Sequence, residues 1–205
     1  MEKKNTREKI VAVALDLFSV NGYEATSISQ IADAVGIRKA SLYSHFAGKQ
    51  DILDNVVETV LTDYAQHSIF VNADWDDPAF AEDKKGMKAE DAAKMIQGQI
   101  RYILHDPKIS KGRKMLVIEQ FRNQEMAKLQ TKMNYDDILN YFTGMIRFLI
   151  REKVLRDEDP QIMAAQFTSP ITVWINLCDR EPEREKEVMG MVQRHVLQFF
   201  EIYGA

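Results

Sequence analysis

The chain has 205 residues, of which 45% are hydrophobic, and it holds only nine glycines and five prolines, which is typical of a compact, mostly helical protein. It lacks an unbroken apolar run of about 18 residues, which excludes a transmembrane helix, and its single cysteine excludes an internal disulfide. The segment Met1–Asn5 is charged and lacks the apolar core of a secretory signal. These features predict a cytoplasmic protein.

The formal net charge of −4 is unevenly distributed along the chain. The first 50 residues hold seven Lys/Arg and five Asp/Glu, a net charge of +2, and the remainder carries −6. A mildly basic segment on an acidic body suits a DNA-binding protein, because phosphate repels the body and orients the approach. The modest positive charge predicts that two copies are needed for useful affinity, and hence a dimer.

The segment after Thr26 predicts a short helix that ends in a tight glycine turn. Ser27 and Gln30 have the spacing of a capping box, in which each side chain bonds the other residue's backbone N–H. Gly36 ends the helix, because glycine enters the left-handed conformation without a steric penalty. The apolar residues between them are spaced three or four apart and share one face: Ile28, Ile31, Ala32 and Val35.

A second short helix is predicted from about Arg38 to His45, with Leu42 and Phe46 continuing the apolar face from Ile37. The side chains left outward are Arg38, Lys39, Ser41, Tyr43, Ser44 and His45. Basic, hydroxyl and aromatic groups on such a helix are typical of the recognition helix of a helix-turn-helix. Periodicity alone is also compatible with a plain structural hairpin of helices; the capping box, glycine turn and outward residues together favour DNA binding.

These residues resemble the DNA-binding domain of the TetR family of bacterial transcriptional regulators, over about residues 6–55. The matching positions are Leu17-Phe18, Asn21-Gly22-Tyr23, Ile31-Ala32, Val35-Gly36, Leu42-Tyr43, His45-Phe46, Lys49 and Leu53. The chain departs from the family at two positions. Arg38 replaces the usual serine or threonine, which costs a helix cap and adds a candidate base or phosphate contact. Ala40 stands where glycine is frequent.

The resemblance implies a set of DNA contacts at Thr26, Ser27, Arg38, Lys39, Ala40, Ser41, Tyr43, Ser44, His45 and Lys49. Arg38 and Lys39 would donate to guanine O6 and N7. Lys49 and the start of the preceding helix would bind phosphate, because free N–H groups and positive charge coincide there. Considered alone, His45 would be a solvated imidazole, and Tyr43 would pack against the leading helix.

Apolar periodicity predicts further helices at about residues 49–70, 90–105, 107–121, 124–152, 160–178 and 183–203. Between residues 71 and 89 the periodicity fails, which predicts a loop that can include one helical turn. Asp159 caps a helix with Pro160 in its first turn, and Pro170 should kink that helix. The expected fold is all-α. A three-helix helix-turn-helix domain at residues 1–50 precedes a helical-bundle regulatory and dimerisation domain at 51–205.

The last two helices present wide apolar stripes that are expected to form a dimer interface. The residues are Met163, Phe167, Ile171, Trp174, Val188, Val192, His195, Val196, Phe199 and Tyr203. The resemblance implies that they pair with their symmetry mates in a four-helix arrangement. A two-fold axis would set two recognition helices about 34 Å apart, to reach successive major grooves. The alternative is that these stripes belong to the core of a single chain.

Methionines and aromatic residues of the body are candidates for the wall of a ligand pocket: Tyr102, Phe121, Met126, Phe142, Met145 and Trp174. Flexible methionines and rigid aromatics suit varied hydrophobic ligands. At helical spacing, however, such residues usually form packed core. The resemblance implies an inducer pocket among these helices without naming its residues.

The sequence carries no signature of catalysis, of a cofactor or of a metal site. The histidines, His45, His67, His105 and His195, are scattered, and Cys178 lacks a local nucleophile signature. The acidic residues Asp74, Asp76 and Asp77 lack the full calcium-loop pattern and favour a solvated loop.

We therefore expect a DNA-binding transcriptional regulator and not an enzyme. It would be a homodimeric repressor, without membrane association, that a small hydrophobic ligand releases from a palindromic operator in double-stranded DNA. Control by a protein partner, and activation in place of repression, are alternatives that the sequence leaves open.

Overall fold

A computed structural model describes the backbone of residues 2–205 and the side chains of all these residues except 2–4 and 81. Its α-helices are α1 (Glu2–Asn21), α2 (Ile28–Val35), α3 (Lys39–Leu42), α4 (Lys49–His67), α5 (Ile69–Asn72), α6 (Pro78–Asp83), α7 (Ala89–His105), α8 (Pro107–Glu119), α9 (Gln124–Thr131), α10 (Asp137–Arg151), α11 (Pro160–Arg180) and α12 (Glu185–Tyr203). The all-α prediction is confirmed. Within the described part of the chain, none of these helices combines the length and apolar character needed to cross a membrane.

The chain divides into two compact units. The first unit comprises the residues up to His67 together with Pro107–Thr131, and the second comprises Ser68–Asp106 with Lys132–Ala205. This division differs from the predicted boundary at residue 50. The reason is that α4 buries Ile52, Leu53 and Val56 within the first unit, and that α8 returns to pack on α1 and α4.

The first unit has a continuous apolar core. Its buried members on α1 to α4 and in the turn after α3 include Ile10, Ala14, Phe18, Ile31, Ala32, Leu42, Phe46, Ile52 and Val56. Helix α8 crosses α4 at very short range, because Gly112 lies directly against the Val60 side chain. At the start of α8, the Lys108 ammonium pairs with the Asp63 carboxylate of α4 at 2.8 Å.

The second unit is a helical bundle formed by α5–α7 and α10–α12 around its own core. The predicted start of α11 is confirmed, because Asp159 accepts hydrogen bonds from the backbone N–H groups of Gln161 and Ile162, with Pro160 in the first turn. The helix continues through Pro170 as far as Arg180. The core holds the aromatic residues Trp75, Tyr141, Phe142, Phe148, Phe167 and Phe199.

Three segments differ from the predicted helices. The helix expected to reach residue 70 ends at His67, because Ser68 caps the separate helix α5 by accepting from the Phe70 N–H at 3.2 Å. The stretch predicted as a loop contains α6. The long helix expected at residues 124–152 is interrupted by a π-helical turn at Lys132–Asp136.

Candidate nucleic-acid interface

The local signals around α2 produce the predicted geometry. The Ser27 side chain accepts from the Gln30 N–H at 3.2 Å, and the Gln30 amide oxygen accepts from the Ser27 N–H at 2.7 Å, so the capping box is complete. Gly36 has φ 81° and ψ 35°, and its N–H donates to the carbonyls of Ala32 and Asp33. The turn between α2 and α3 is thereby fixed by side-chain capping at one end and by a left-handed glycine at the other.

Helix α3 is shorter than predicted. It covers Lys39–Leu42, and the chain then continues in hydrogen-bonded turns, with the Phe46 N–H donating to the Leu42 carbonyl at 3.1 Å. Arg38 occupies the N-cap position with extended backbone and makes no side-chain capping bond. The loss of the cap that the family's serine or threonine would supply is consistent with so short a helix.

The polar residues of this segment form an exposed surface. Leu42 and Phe46 are buried, His45 is half-buried, and the exposed residues are Arg38, Lys39, Ala40, Ser41, Tyr43 and Ser44. The Arg38 and Lys39 side chains have no hydrogen-bond partner among the described residues. Two cations with unused donors on a short helix can reach base edges or phosphates in a major groove.

The structure corrects the expectation for Thr26. Its side chain is 1% exposed, and its hydroxyl donates to the Gly22 carbonyl at 2.8 Å, so it stabilises the turn before α2 and offers no donor to a phosphate. Ser27 remains exposed next to it, although its hydroxyl is engaged in the capping box.

Lys49 also has a structural role that the sequence did not indicate. Its ammonium donates to the Tyr23 carbonyl at 2.8 Å and lies 4.2 Å from the centre of the Tyr23 ring. This cation–π contact and hydrogen bond join the start of α4 to the turn after α1. A contact from Lys49 to a phosphate would have to use an ammonium N–H that does not donate to the Tyr23 carbonyl.

Tyr23 is held from a second side by α8. The Glu119 carboxylate is 3% exposed and accepts from the Tyr23 backbone N–H at 2.7 Å. The Tyr23 hydroxyl donates to Gln50 at 3.2 Å, and burial is the main cause that raises the pKa of this phenol. We call Tyr23, Lys49 and Glu119 the turn clamp. Because α1, α4 and α8 meet there, the clamp fixes the chain that leads into α2.

Sequence-based reasoning missed the turn clamp, because Glu119 lies 96 positions after Tyr23. The one local signal was Gly22, which has φ 80° and lies so close to α8 that an added Cβ would be 2.9 Å from the Glu119 carboxylate. A glycine required for both conformation and space indicates a close approach by another segment.

The predicted ligand-pocket residues are only partly brought together. The second unit contains an apolar cavity of about 30 Å³, and Phe142 is the one predicted residue in its wall. The wall consists of Ile69, Phe70, Ile96, Gln99, Ile100, Ile103, Ile138, Phe142, Thr168, Ile171, Thr172 and Ile175.

The other predicted pocket residues lie elsewhere. Phe121 is 88% exposed in the first unit, and Met126 is buried in the core of that same unit. Tyr102, Met145 and Trp174 belong to the second unit but do not line the cavity. The predicted residues were chosen because they are methionine or aromatic, whereas most residues of the cavity wall are isoleucines.

The predicted dimer interface is also corrected. Met163, Phe167, Ile171, Val188, Val192, Val196 and Phe199 are buried in the core of their own chain, so they are not available to a second copy. Trp174, His195 and Tyr203 are half-buried, and His195 Nε2 lies 2.8 Å from the Phe167 carbonyl oxygen. The large apolar residues that these helices do expose are Ile162, Val173 and Ile202.

Comparison with known proteins identifies relatives of the N-terminal part. Residues 10–56 match the family described as bacterial regulatory proteins, tetR family. The biofilm operon icaADBC HTH-type negative transcriptional regulator IcaR of Staphylococcus aureus is 41% identical over 66 residues, which are 32% of this chain and 35% of IcaR. The HTH-type transcriptional regulator AcrR of Shigella flexneri is 40% identical over 57 residues, 28% of this chain and 26% of AcrR. The match thus spans about a third or less of each relative.

Solved structures resemble the chain over nearly its whole length. A TetR-family transcriptional regulator from Mesorhizobium loti superposes with a TM-score of 0.66 and 17% identity, covering 100% of both chains. The SmeT–triclosan complex gives a TM-score of 0.64 and 18% identity, covering 98% of this chain and 92% of SmeT. SmeT is the repressor of the Stenotrophomonas maltophilia multidrug efflux pump SmeDEF. At such low identity these similarities establish the fold.

Proposed function

Because the chain carries the DNA-binding domain of the TetR family of bacterial regulatory proteins, we propose that it is a sequence-specific transcriptional regulator that binds double-stranded DNA. The observation that carries the proposal is the exposed surface of α3, with Arg38 and Lys39 unpaired among the described side chains and anchored by the buried Leu42 and Phe46. The protein would act in the cytoplasm. It would act as a repressor, because IcaR is a negative transcriptional regulator and SmeT is a repressor.

The test is selection of duplexes by the purified protein from a random DNA pool, followed by a salt titration on the enriched sequence. We expect a palindrome whose half-sites lie about one helical turn apart, because two symmetry-related recognition helices would enter successive major grooves. The affinity should fall steeply with salt as counterions are released. If no sequence is enriched even at low salt, the proposal is wrong or a co-purified ligand holds the protein off DNA, which refolding from denaturant would distinguish.

Arg38 is the residue for which we expect the clearest effect on sequence preference. Arg38→Ala should cost about 1–3 kcal/mol of operator binding and relax the preference at one base pair, because a bidentate contact to guanine is lost. Arg38→Lys is the matched control, since it keeps the charge but loses the fork geometry. The measurement is the affinity for operators changed at each position in turn. An equal loss for all sequences would show that Arg38 binds phosphate.

We further propose that the protein is a homodimer whose contact uses the exposed apolar residues of α11 and α12. Ile162 and Val173 are separated by 11 positions, or about three helical turns, so they share a face of α11. Val173→Glu should shift the protein toward monomer in analytical ultracentrifugation and weaken operator binding, because it places a charge in an apolar interface. Val71→Glu is the control, since Val71 is also an exposed apolar residue but lies on α5. An unchanged oligomeric state in the Val173 variant would exclude this surface.

Release from DNA by a small hydrophobic ligand is the mechanism that we propose for regulation. The isoleucine-rich cavity suits an apolar molecule, but its volume of about 30 Å³ is too small for one without expansion. A ligand that favours the expanded bundle would shift the population away from the DNA-binding arrangement by its differential affinity. The test is to measure operator affinity at increasing concentrations of apolar compounds. Triclosan is the first of these, because SmeT binds it. Equal affinity with and without a compound shown to bind would remove this mechanism.

A further inference from the structure

The second unit contains another cavity, which is polar and has a volume of about 360 Å³. It lies between α10 and the segment that follows α5, and Gln161 of α11 also contributes to its wall. Its size falls within the range of small-molecule sites, about 300–1,000 Å³. The apolar cavity described above has different polarity and lies on another part of α10, with Phe70 as the one residue shared by the two walls.

Helix α10 presents a row of hydrogen-bonding groups to this cavity. Asn140, Thr143 and Arg147 follow one another at spacings of three and four, so they lie on one face of the helix. None of these three side chains has a hydrogen-bond or ion-pair partner among the described residues. A helix face with unused donors, one of them a guanidinium, is suited to an anionic group.

Trp75 forms part of the same wall. Its side chain is 5% exposed, and its indole Nε1 is buried with no hydrogen-bond acceptor among the residues that the structure describes. Gly144 permits this position, because a Cβ there would lie 2.8 Å from the Trp75 Cδ1 atom. The Nε1 atom is thus shielded from the cavity, and Trp75 contributes the apolar surface of its ring to the wall.

The remaining charges of the wall are largely balanced. The Arg151 guanidinium donates to the Trp75 carbonyl at 3.1 Å and to the Asp76 carboxylate at 3.2 Å, which neutralises Asp76 and ties the segment to α10. Asp74 accepts from the Asp76 N–H at 3.0 Å. Burial raises the pKa of Tyr141 to about 12, so its phenol adds no negative charge. Among the charged side chains of the wall, Arg147 and Asp74 are therefore the two without an ion-pair partner among the described residues.

We propose that this cavity, which we call the Arg147 site, binds a small organic carboxylate. The carboxylate would accept from the Arg147 guanidinium, with Asn140 and Thr143 as further donors from α10. The aromatic wall of Trp75 and Phe70 would contact an apolar part of the same molecule. Binding at this site does not depend on the proposed DNA-binding function.

The test uses the full-length protein with Trp174→Phe, which leaves Trp75 as the one tryptophan. Its indole ¹⁵N–¹H signal is followed by NMR during titrations with acetate and benzoate, and with benzylamine as a probe of opposite charge. We expect a saturable shift with benzoate and none with benzylamine. Arg147→Gln should weaken benzoate binding at least about tenfold, since a charge-assisted contact is lost. Arg101→Gln should leave it unchanged, because Arg101 is an exposed arginine of α7 outside the site.

Thr143→Val provides a second variant that keeps the shape of the wall and removes one donor, and it should weaken benzoate binding less than Arg147→Gln. Backbone spectra of each variant report whether it is folded. The proposal is overturned if neither carboxylate shifts the Trp75 signal. It is also overturned if Arg147→Gln leaves binding intact, or if benzylamine binds as well as benzoate. Since no DNA is present, the result is separate from the test of operator binding.

Discussion

Gly22→Ala is expected to destabilise the first unit strongly and to weaken operator binding. Gly22 has φ 80°, and a Cβ there would lie 2.9 Å from the Glu119 carboxylate and 3.2 Å from the Ile118 side chain. The left-handed conformation costs a non-glycine residue about 1–2 kcal/mol, and overpacking adds about 1–3 kcal/mol. Relief of this strain would displace the turn clamp, and with it the entry into α2. The measurements are the free energy of unfolding and the affinity for the selected operator.

Gly36→Ala is the matched control. Gly36 has nearly the same φ, 81°, but no atom lies within 4 Å of its added Cβ. This variant should therefore pay the conformational cost of about 1–2 kcal/mol without the steric one. Equal losses of stability at the two positions would contradict a close approach of α8 to the turn. Glu119→Gln, which keeps an acceptor for the Tyr23 N–H, should be milder than Glu119→Ala, which leaves that donor buried and unpaired.

Gly112→Ala is the second substitution with a large expected effect. An added methyl group would lie 2.6 Å and 2.8 Å from the two γ-carbons of Val60, which is buried. The helices α4 and α8 would have to separate, at a cost of about 1–3 kcal/mol. Faster amide hydrogen exchange in α8 and a lower free energy of unfolding are the expected results. Val60→Ala should partly rescue the variant, because the space lost at one residue is returned at the other.

The control for Gly112 is Gly98, which lies within α7 and has no atom within 4 Å of its added Cβ. Gly98→Ala should stabilise the protein by about 0.5–1 kcal/mol, because alanine loses less backbone entropy in a helix. The change from glycine to alanine is thus expected to lower the stability of the protein at Gly112 and to raise it at Gly98. A gain in stability from Gly112→Ala would show that α8 does not cross α4 at this distance.

Features encoded by neighbouring residues were predictable from the sequence. Ser27 with Gln30, Gly36, and Asp159 with Pro160 each act within one helical turn, and each has the predicted geometry. The all-α class and most helix boundaries follow from the same kind of information, because apolar periodicity is local. The end of α4 was predicted too far along the chain. Ser68 caps the separate helix α5 and so interrupts an apolar stripe that continues past it.

The partner of an apolar stripe was not predictable. Periodicity shows that Phe167, Val192 and Phe199 face something apolar, but it does not distinguish their own chain from a second copy. In the structure they pack within one chain. The prediction of the residues that line the cavity failed for a related reason. Methionine and aromatic residues occur both in packed cores and in ligand pockets. The turn clamp needed the three-dimensional return of α8, which a single sequence does not reveal.

The insertion of Pro107–Thr131 into the first unit limits how its DNA specificity could be transplanted to another regulator. A chimaera joined after His67 would lack Glu119, Lys108 and Gly112. It would therefore lose the acceptor for the Tyr23 N–H, the ion pair of Asp63 with Lys108 and the surface that covers Val60. Its recognition helix would be intact in sequence but poorly supported. A functional graft must therefore carry two separate stretches of chain, and the host must supply the connections between them.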